Sequence, residues 1–161
     1  MATPSPEIWT RRRAGGAVLA LLLVPSLSSA NPQPLKPMVE VWKSPSCGCC
    51  KVWVQHLEAS GFEVTVHDVG NTAVRTRLGI PVKLGSCHTA KVGPYAVEGH
   101  VPARELHRLL KEKPDAVGLA VPGMPIGSPG MDGPKYGPRR DPYVVLLVRK
   151  DGSTYPFQTY R

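Results

Sequence analysis

Three cysteines in four residues, Cys47-Gly48-Cys49-Cys50, stand between the apolar run Met38-Val39-Glu40-Val41-Trp42 and a second apolar series at Cys50, Trp53, Val54 and Leu57. The first run reads as a strand, Lys43-Ser44-Pro45-Ser46 as a turn, and the second series recurs at helical spacing. A strand passing into a helix through three thiols is the stretch around which the rest of the chain is organised. It also puts sulfur at a helix N-terminus, where unpaired N–H groups and the positive dipole end favour thiolate over thiol. Cysteines there are better nucleophiles and better metal ligands.

The rest of the chain alternates elements in a recognisable order. Asn31 to Pro37, rich in proline, is an extended lead-in. After the first helix, stopped at Gly61, the residues Phe62, Val64 and Val66 alternate with Glu63, Thr65 and His67 as a second strand. Asn71 to Leu78 reads as a short helix ended by Gly79-Ile80-Pro81. Ser86 to Val92 and Tyr95 to Val101 are extended runs on either side of Gly93-Pro94, a hairpin signal. Pro102 opens a third helix, whose buried stripe is Ala103, Leu106, Leu109 and Leu110 and whose end is Pro114. The order is βαβα followed by ββα, which, with a cysteine motif at the first strand-to-helix turn, is the thioredoxin arrangement within the α/β class.

From Gly118 the composition shifts to proline, glycine and methionine, and a loop with neither helix nor central strand is expected. Tyr143 to Arg149 and Thr154 to Thr159 then flank an Asp-Gly turn and read as a C-terminal hairpin appended to the core sheet. The expected organisation is a signal peptide over 1–30, the lead-in over 31–37, a thioredoxin-like core over 38–116, the Met/Pro/Gly-rich loop over 117–141 and the hairpin over 142–161.

The signal peptide rests on Arg11-Arg12-Arg13, an apolar run from Ala17 to Val24, and Ser28-Ser29-Ala30 with small residues where cleavage occurs. The run is too short for a membrane span, and Thr10-Arg11-Arg12 leaves general and twin-arginine export both open. Export to the periplasm is expected, with the remaining chain of ordinary single-domain size. The formal net charge is +8, but the basic residues are scattered, so a nucleic-acid partner is not expected.

All four cysteines, Cys47, Cys49, Cys50 and Cys87, lie after the leader. An oxidising compartment favours disulfides, yet a bridge within Cys47 to Cys50 closes almost no loop and constrains little. Chemistry rather than stapling is the expected use. Cys47 and Cys50 lie on nearly one side of the helix start, while Cys49 points about 100° from Cys50. Exchange chemistry needs only the pair. A third thiol suits bridging thiolates that hold several Cu(I) ions.

Two further features add donors. Pro122-Gly123-Met124 and Pro129-Gly130-Met131 repeat one tripeptide in a loop with little core to fill, and thioether with thiolate is the ligand set of Cu(I). Cys87-His88-Thr89 on the third strand and Glu98-Gly99-His100 on the fourth supply soft or borderline ligands, with Gly99 allowing close approach beside His100. His67 and His107 are assigned to structure. His56, seven residues beyond Cys49 on one helix, is roughly 10 Å away and outside a shared site.

Ser44-Pro45-Ser46-Cys47-Gly48-Cys49-Cys50, Gly79-Ile80-Pro81, Ser86-Cys87-His88-Thr89-Ala90, Glu98-Gly99-His100-Val101-Pro102 and Gly118-Leu119-Ala120-Val121-Pro122-Gly123-Met124-Pro125 together resemble the CopG-like copper-resistance family. The likeness covers about Val39 to Asp132. It implies a periplasmic thioredoxin-like protein that binds copper through the CxCC cysteines, here Cys47, Cys49 and Cys50, and through the SCHTA cysteine, here Cys87. Further Cys, His or Met ligands are implied, for which His88, His100, Met124 and Met131 are the candidates, together with a part in copper redox handling. Other periplasmic copper-handling proteins are the expected partners.

Three uses of the thiols are therefore in view. The first is Cu(I) sequestration, as a thiolate-bridged cluster, with interconversion of Cu(I) and Cu(II). The second is a thiol-disulfide oxidoreductase with Cys47 as nucleophile and Cys50 as resolving thiol, in which Gly79-Ile80-Pro81 takes the place of the proline turn before the third strand. The third is structural zinc, for which tetrahedral four-cysteine sites ordinarily combine two separated C-x-x-C knuckles, where this chain has one.

Overall fold

In the computed structural model of the chain, residue 1 and residues 35–161 are described; residues 2–30 of the expected signal peptide and residues 31–34 of the lead-in lie outside them. The first strand, β1 (Met38–Lys43), buries alternate side chains, Val39, Val41 and Lys43. The helix α1 (Gly48–Ala59) buries Cys50, Trp53, Val54 and Leu57, the series set by the sequence spacing. Trp53 is the anchor of this face: it is fully buried and its Nε1–H donates to the Val101 carbonyl at 2.8 Å. Burial of a side chain of this size contributes at least the ~1.5–3 kcal/mol typical of a large apolar group.

The strand β2 (Glu63–His67) follows, then α2 (Thr72–Arg77), a 3-10 turn (Val82–Leu84), β3 (His88–Val92), β4 (Tyr95–Glu98) and α3 (Ala103–Glu112). The sheet runs β2-β1-β3-β4, with β1 and β2 parallel and β3 antiparallel to both β1 and β4. With α1 crossing from β1 to β2, this is a thioredoxin-like α/β fold. Its core joins Val39, Val41, Trp53, Leu57 and Phe62 to Val92, Val97, Leu106 and Leu109.

Three expectations are corrected. Residues 118–120, assigned to a loop without a central strand, form β5 (Gly118–Ala120), fully buried and parallel to β4. The Pro/Gly composition of the segment as a whole concealed a three-residue apolar run that precedes the first proline and is covered by β4 and β6 on its two edges. Second, the extended runs are shorter at the ends that matter. Cys87 precedes β3 and His100 follows β4, because Gly99 turns the chain at φ +72°. Third, Pro81 does not lead directly into β3, since the 3-10 turn and Gly85-Ser86-Cys87 intervene.

The C-terminal hairpin, β6 (Tyr143–Val148) and β7 (Thr154–Tyr160), continues the sheet beyond β5 to give seven strands in all. Pro156 on the outer strand lies at a register irregularity opposite Val145 and Leu146, as suits a residue with no N–H to donate. The hairpin also reaches α3, where the Tyr160 hydroxyl donates to Glu105 at 2.8 Å. No helix among the described residues is long and apolar enough to cross a membrane.

Register is what assembles the site. Lys43 pairs with His88, so the chain leaves β1 toward Cys47 at the same end of the sheet where Cys87 enters β3. Thr89 pairs with Glu98, and Glu98 with Ala120, so β4 and β5 release His100 and the Met loop at that end too. Four separate segments converge on one edge.

Candidate metal centre

Cys47 is the N-cap of α1, with φ −72° and ψ 98° and no side-chain capping bond, and the first turn carries no acidic residue. No carboxylate in that turn competes with the thiols for the positive end of the helix. Cys47 and Cys50 are joined as a disulfide, with Cα atoms 5.4 Å apart, leaving Cys49 and Cys87 as free thiols. The bridge matches the dithiol of the exchange reading and spans so short a loop that its worth as a staple is small.

Around it the sulfurs are crowded. Cys49 Sγ is 3.6 Å from Cys47 Sγ and 3.9 Å from Cys87 Sγ, and Cys50 Sγ is 3.4 Å from Cys87 Sγ. Cys87 Sγ also meets His100 Nε2 at 3.1 Å and His88 Nδ1 at 3.4 Å. Two donor groups result, one of Cys47, Cys49, Cys50 and Cys87 and one of Cys87, His88 and His100, each with its ligand atoms within 4.8 Å of one another. Cys87 belongs to both.

Burial, with the neighbouring Cys49, pushes the Cys87 thiol up to about 12. At neutral pH it keeps its proton until a cation displaces it. His100 is arranged to receive the cation. Its Nδ1 lies 2.9 Å from the Pro129 carbonyl, which only accepts, so Nδ1 carries the hydrogen and the Nε2 lone pair points at Cys87. A ring held through its other nitrogen is the usual state of a metal-ligating histidine.

His88 is fully buried, packs on Trp53 at 4.2 Å between ring centroids and meets the His100 ring edge-on. Its Nε2 has no hydrogen-bond partner among the described residues. Burial first, then the nearby His100, hold its basicity well below the usual imidazole range, and burial lowers His100 as well. Both rings are therefore neutral, the form that ligates. Soft thiols with neutral imidazole lone pairs make a donor set that fits a soft or borderline cation.

The Met loop closes over this group. Gly130 is indispensable: a Cβ there would lie 2.7 Å from the Cys49 carbonyl and 3.3 Å from His100 Nδ1. The Gly123 carbonyl accepts from Ser86 Oγ, and the Gly123 N–H donates to the Gly85 carbonyl at 3.2 Å. The loop is pinned at its far end as well, where Ile126 and Asp141 exchange two hydrogen bonds. Met131 is buried and its Sδ accepts from the Tyr136 hydroxyl at 3.1 Å, whereas Met124 is half exposed. The two tripeptides thus have uses beyond their thioethers, one supplying the carbonyl that orients His100 and the other a clasp on the residue before Cys87.

Of the remaining histidines, His56 accepts from the Ala103 N–H at 3.0 Å, capping α3; His67 stacks on Trp42 and His107 on Phe62. Gly99 admits the Val121 carbonyl and Ser86 rather than a ligand. Sequence reasoning missed the Pro129 carbonyl, which no residue type announces, and the ion pair between the partly buried Arg75 and the buried Glu98. For the pair a signal existed, since Glu98 ends the otherwise apolar run Tyr95-Ala96-Val97.

No curated protein matches this chain. A family model described as a protein of unknown function, DUF411, matches residues 84–131, the stretch from β3's approach through Cys87, His88 and His100 to Met131. Two solved structures are similar, both of a copper resistance protein CopG. Form 2 shares 45% identity at a TM-score of 0.72, covering 78% of this chain and 99% of that one. Form 1 shares 45% identity at a TM-score of 0.72, covering 78% of this chain and 98% of that one. With likeness of that degree extending over almost the whole of the solved proteins, and with a thiol and imidazole group fit for a soft metal, this chain belongs to the CopG family of copper-resistance proteins.

Proposed function

We propose that the protein is exported to the periplasm and sequesters Cu(I) there. Cys47, Cys49, Cys50 and Cys87 would hold the ion, with His88, His100 and the thioethers of Met124 and Met131 as further ligands. The observation that carries this reading is the approach of sulfur and imidazole nitrogen from separate segments onto Cys87, two donor groups sharing one thiol. A shared thiol is the arrangement that bridges neighbouring ions, and more than one copper per chain follows.

The chain's own residues divide the work. Reduction of the Cys47–Cys50 disulfide by an external dithiol frees two sulfurs, raising the available thiols from two to four. Cys87 gives up its proton as the ion binds, and His100, fixed by Pro129, presents Nε2 to the same place. The dithiol also gives the site a redox use: two Cu(II) ions would become two Cu(I) as Cys47 and Cys50 release two electrons and two protons and close the disulfide. Other copper-handling proteins of the periplasm would then be its donors and acceptors.

Anaerobic titration of the reduced protein with Cu(I), against a chromophoric chelator, tests this reading. More than one tightly held ion per chain and a thiolate-to-copper absorption band are expected; absence of tight uptake contradicts it. A competing use is favoured by the observed disulfide, namely thiol-disulfide exchange with Cys47 as nucleophile. Metal-free insulin reduction that stops on Cys47→Ser would support exchange, and none is expected from a copper carrier.

A further inference from the structure

Cys87 is common to both donor groups, yet Gly85, Ser86 and Cys87 belong to neither helix nor strand, and Ser86 has no ladder to hold its peptide groups. Side chains do so instead. Glu98 Oε1 accepts from the Ser86 N–H at 2.6 Å and from Arg75 Nε at 2.8 Å, while Oε2 accepts from the Thr89 hydroxyl at 2.6 Å. Arg75 Nη2 donates to the Ser86 carbonyl at 2.6 Å, and Asn71 Nδ2 donates to the same carbonyl and to Thr89 Oγ1, each at 3.2 Å. The carboxylate is fully buried.

Resting on the copper reading above, we infer that Glu98 and Arg75 are positioning residues: they clamp both peptide groups of Ser86 and so set where the Cys87 sulfur stands. Asn71 is drawn into the same clamp, which explains why it heads α2 without making a side-chain cap. A buried ion pair is a weak source of net stability compared with apolar packing. Here the pair's contacts concentrate on the two peptide groups of one residue, Ser86, immediately before the thiol that meets His88, His100, Cys49 and Cys50. The fork of Arg75 matters as much as its charge, because one guanidinium reaches both the carboxylate and the Ser86 carbonyl, which a lysine ammonium would not do with the same geometry.

The test uses the full mature chain and the variants Glu98→Gln and Arg75→Lys, the second keeping the charge pair in case the first does not fold. Cu(I) affinity of the reduced proteins is measured by chelator competition. Separately, without metal and with the Cys47–Cys50 bridge intact, the alkylation rate of Cys87 by iodoacetamide is followed by peptide mass spectrometry, with Cys49 as internal reference. Each folded variant is expected to lose roughly tenfold or more in Cu(I) affinity, the range for an outer partner of a metal site. Alkylation of Cys87 relative to Cys49 is expected to rise several-fold. Affinity within twofold of the parent overturns the inference, and so does a loss of affinity with no change at Cys87. If the parent itself takes up no Cu(I), the copper reading fails, and the alkylation ratio alone then decides whether the clamp exists.

Discussion

Cys87 owes its importance to its neighbours rather than to its own position in a motif. A thiol pushed up to about 12 by burial and by Cys49 is an unreactive thiol in the absence of metal. The sign of its pH dependence follows: below that value the ligand atom is protonated, so binding a cation releases a proton. Apparent Cu(I) affinity is expected to rise about tenfold per pH unit for each thiol proton displaced, and competition titrations at pH 6.5 and 7.5 measure it. A pH-independent affinity would mean that the Cys87 proton is not displaced. The methionines are separable from packing in the same way. Met124→Leu with Met131→Leu is expected to keep the fold within about 1.5 kcal/mol, as volume-conserving swaps do, while weakening Cu(I) affinity for want of sulfur. Equal affinity in the double variant returns both to packing, with the Tyr136 hydroxyl as the partner that Met131 then serves.

The helices carry a second pH effect, independent of metal. The N-cap of α3 is Pro102, whose side chain offers no acceptor, and His56 from α1 takes the Ala103 N–H in its place. Protonation would turn that acceptor into a donor beside a positive helix end. Burial lowers the His56 pKa in the folded chain, with Asp132 partly opposing. A depressed basic group contributes stability above its unfolded value of about 6.5, and that contribution is lost as pH falls through the folded value. The apo protein is therefore expected to lose thermal stability between pH 7.5 and 5.5, and His56→Gln, which keeps an acceptor that does not titrate, to flatten part of that slope. His56→Ala should cost about 1 kcal/mol at pH 7.5, the usual effect of deleting a cap. An unchanged slope in the glutamine variant would remove His56 from the account. The sequence showed α1 and α3 well because their apolar stripes are local and periodic. It hid β5, because three apolar residues beside a proline-rich loop have no period to read, and their burial depends on β4 and β6.

Across the whole molecule, what remained hidden was non-local. The four cysteines and two histidines were each visible as donors, but their convergence depends on the pairing of Lys43 with His88 and of Thr89 with Glu98, which no single segment encodes. Nor does residue type reveal that Pro129 contributes a carbonyl, or that Gly130 is needed for the loop to reach α1. The CxCC turn and the fold order were legible; the closing of the Met loop over them was not. The most direct test of the central claim is anomalous diffraction at the copper edge from crystals of the reduced, Cu(I)-loaded protein. Copper peaks within bonding distance of Cys87 Sγ, shared with the CxCC sulfurs, are the expected result; copper bound elsewhere, with these sulfurs bare, would contradict it.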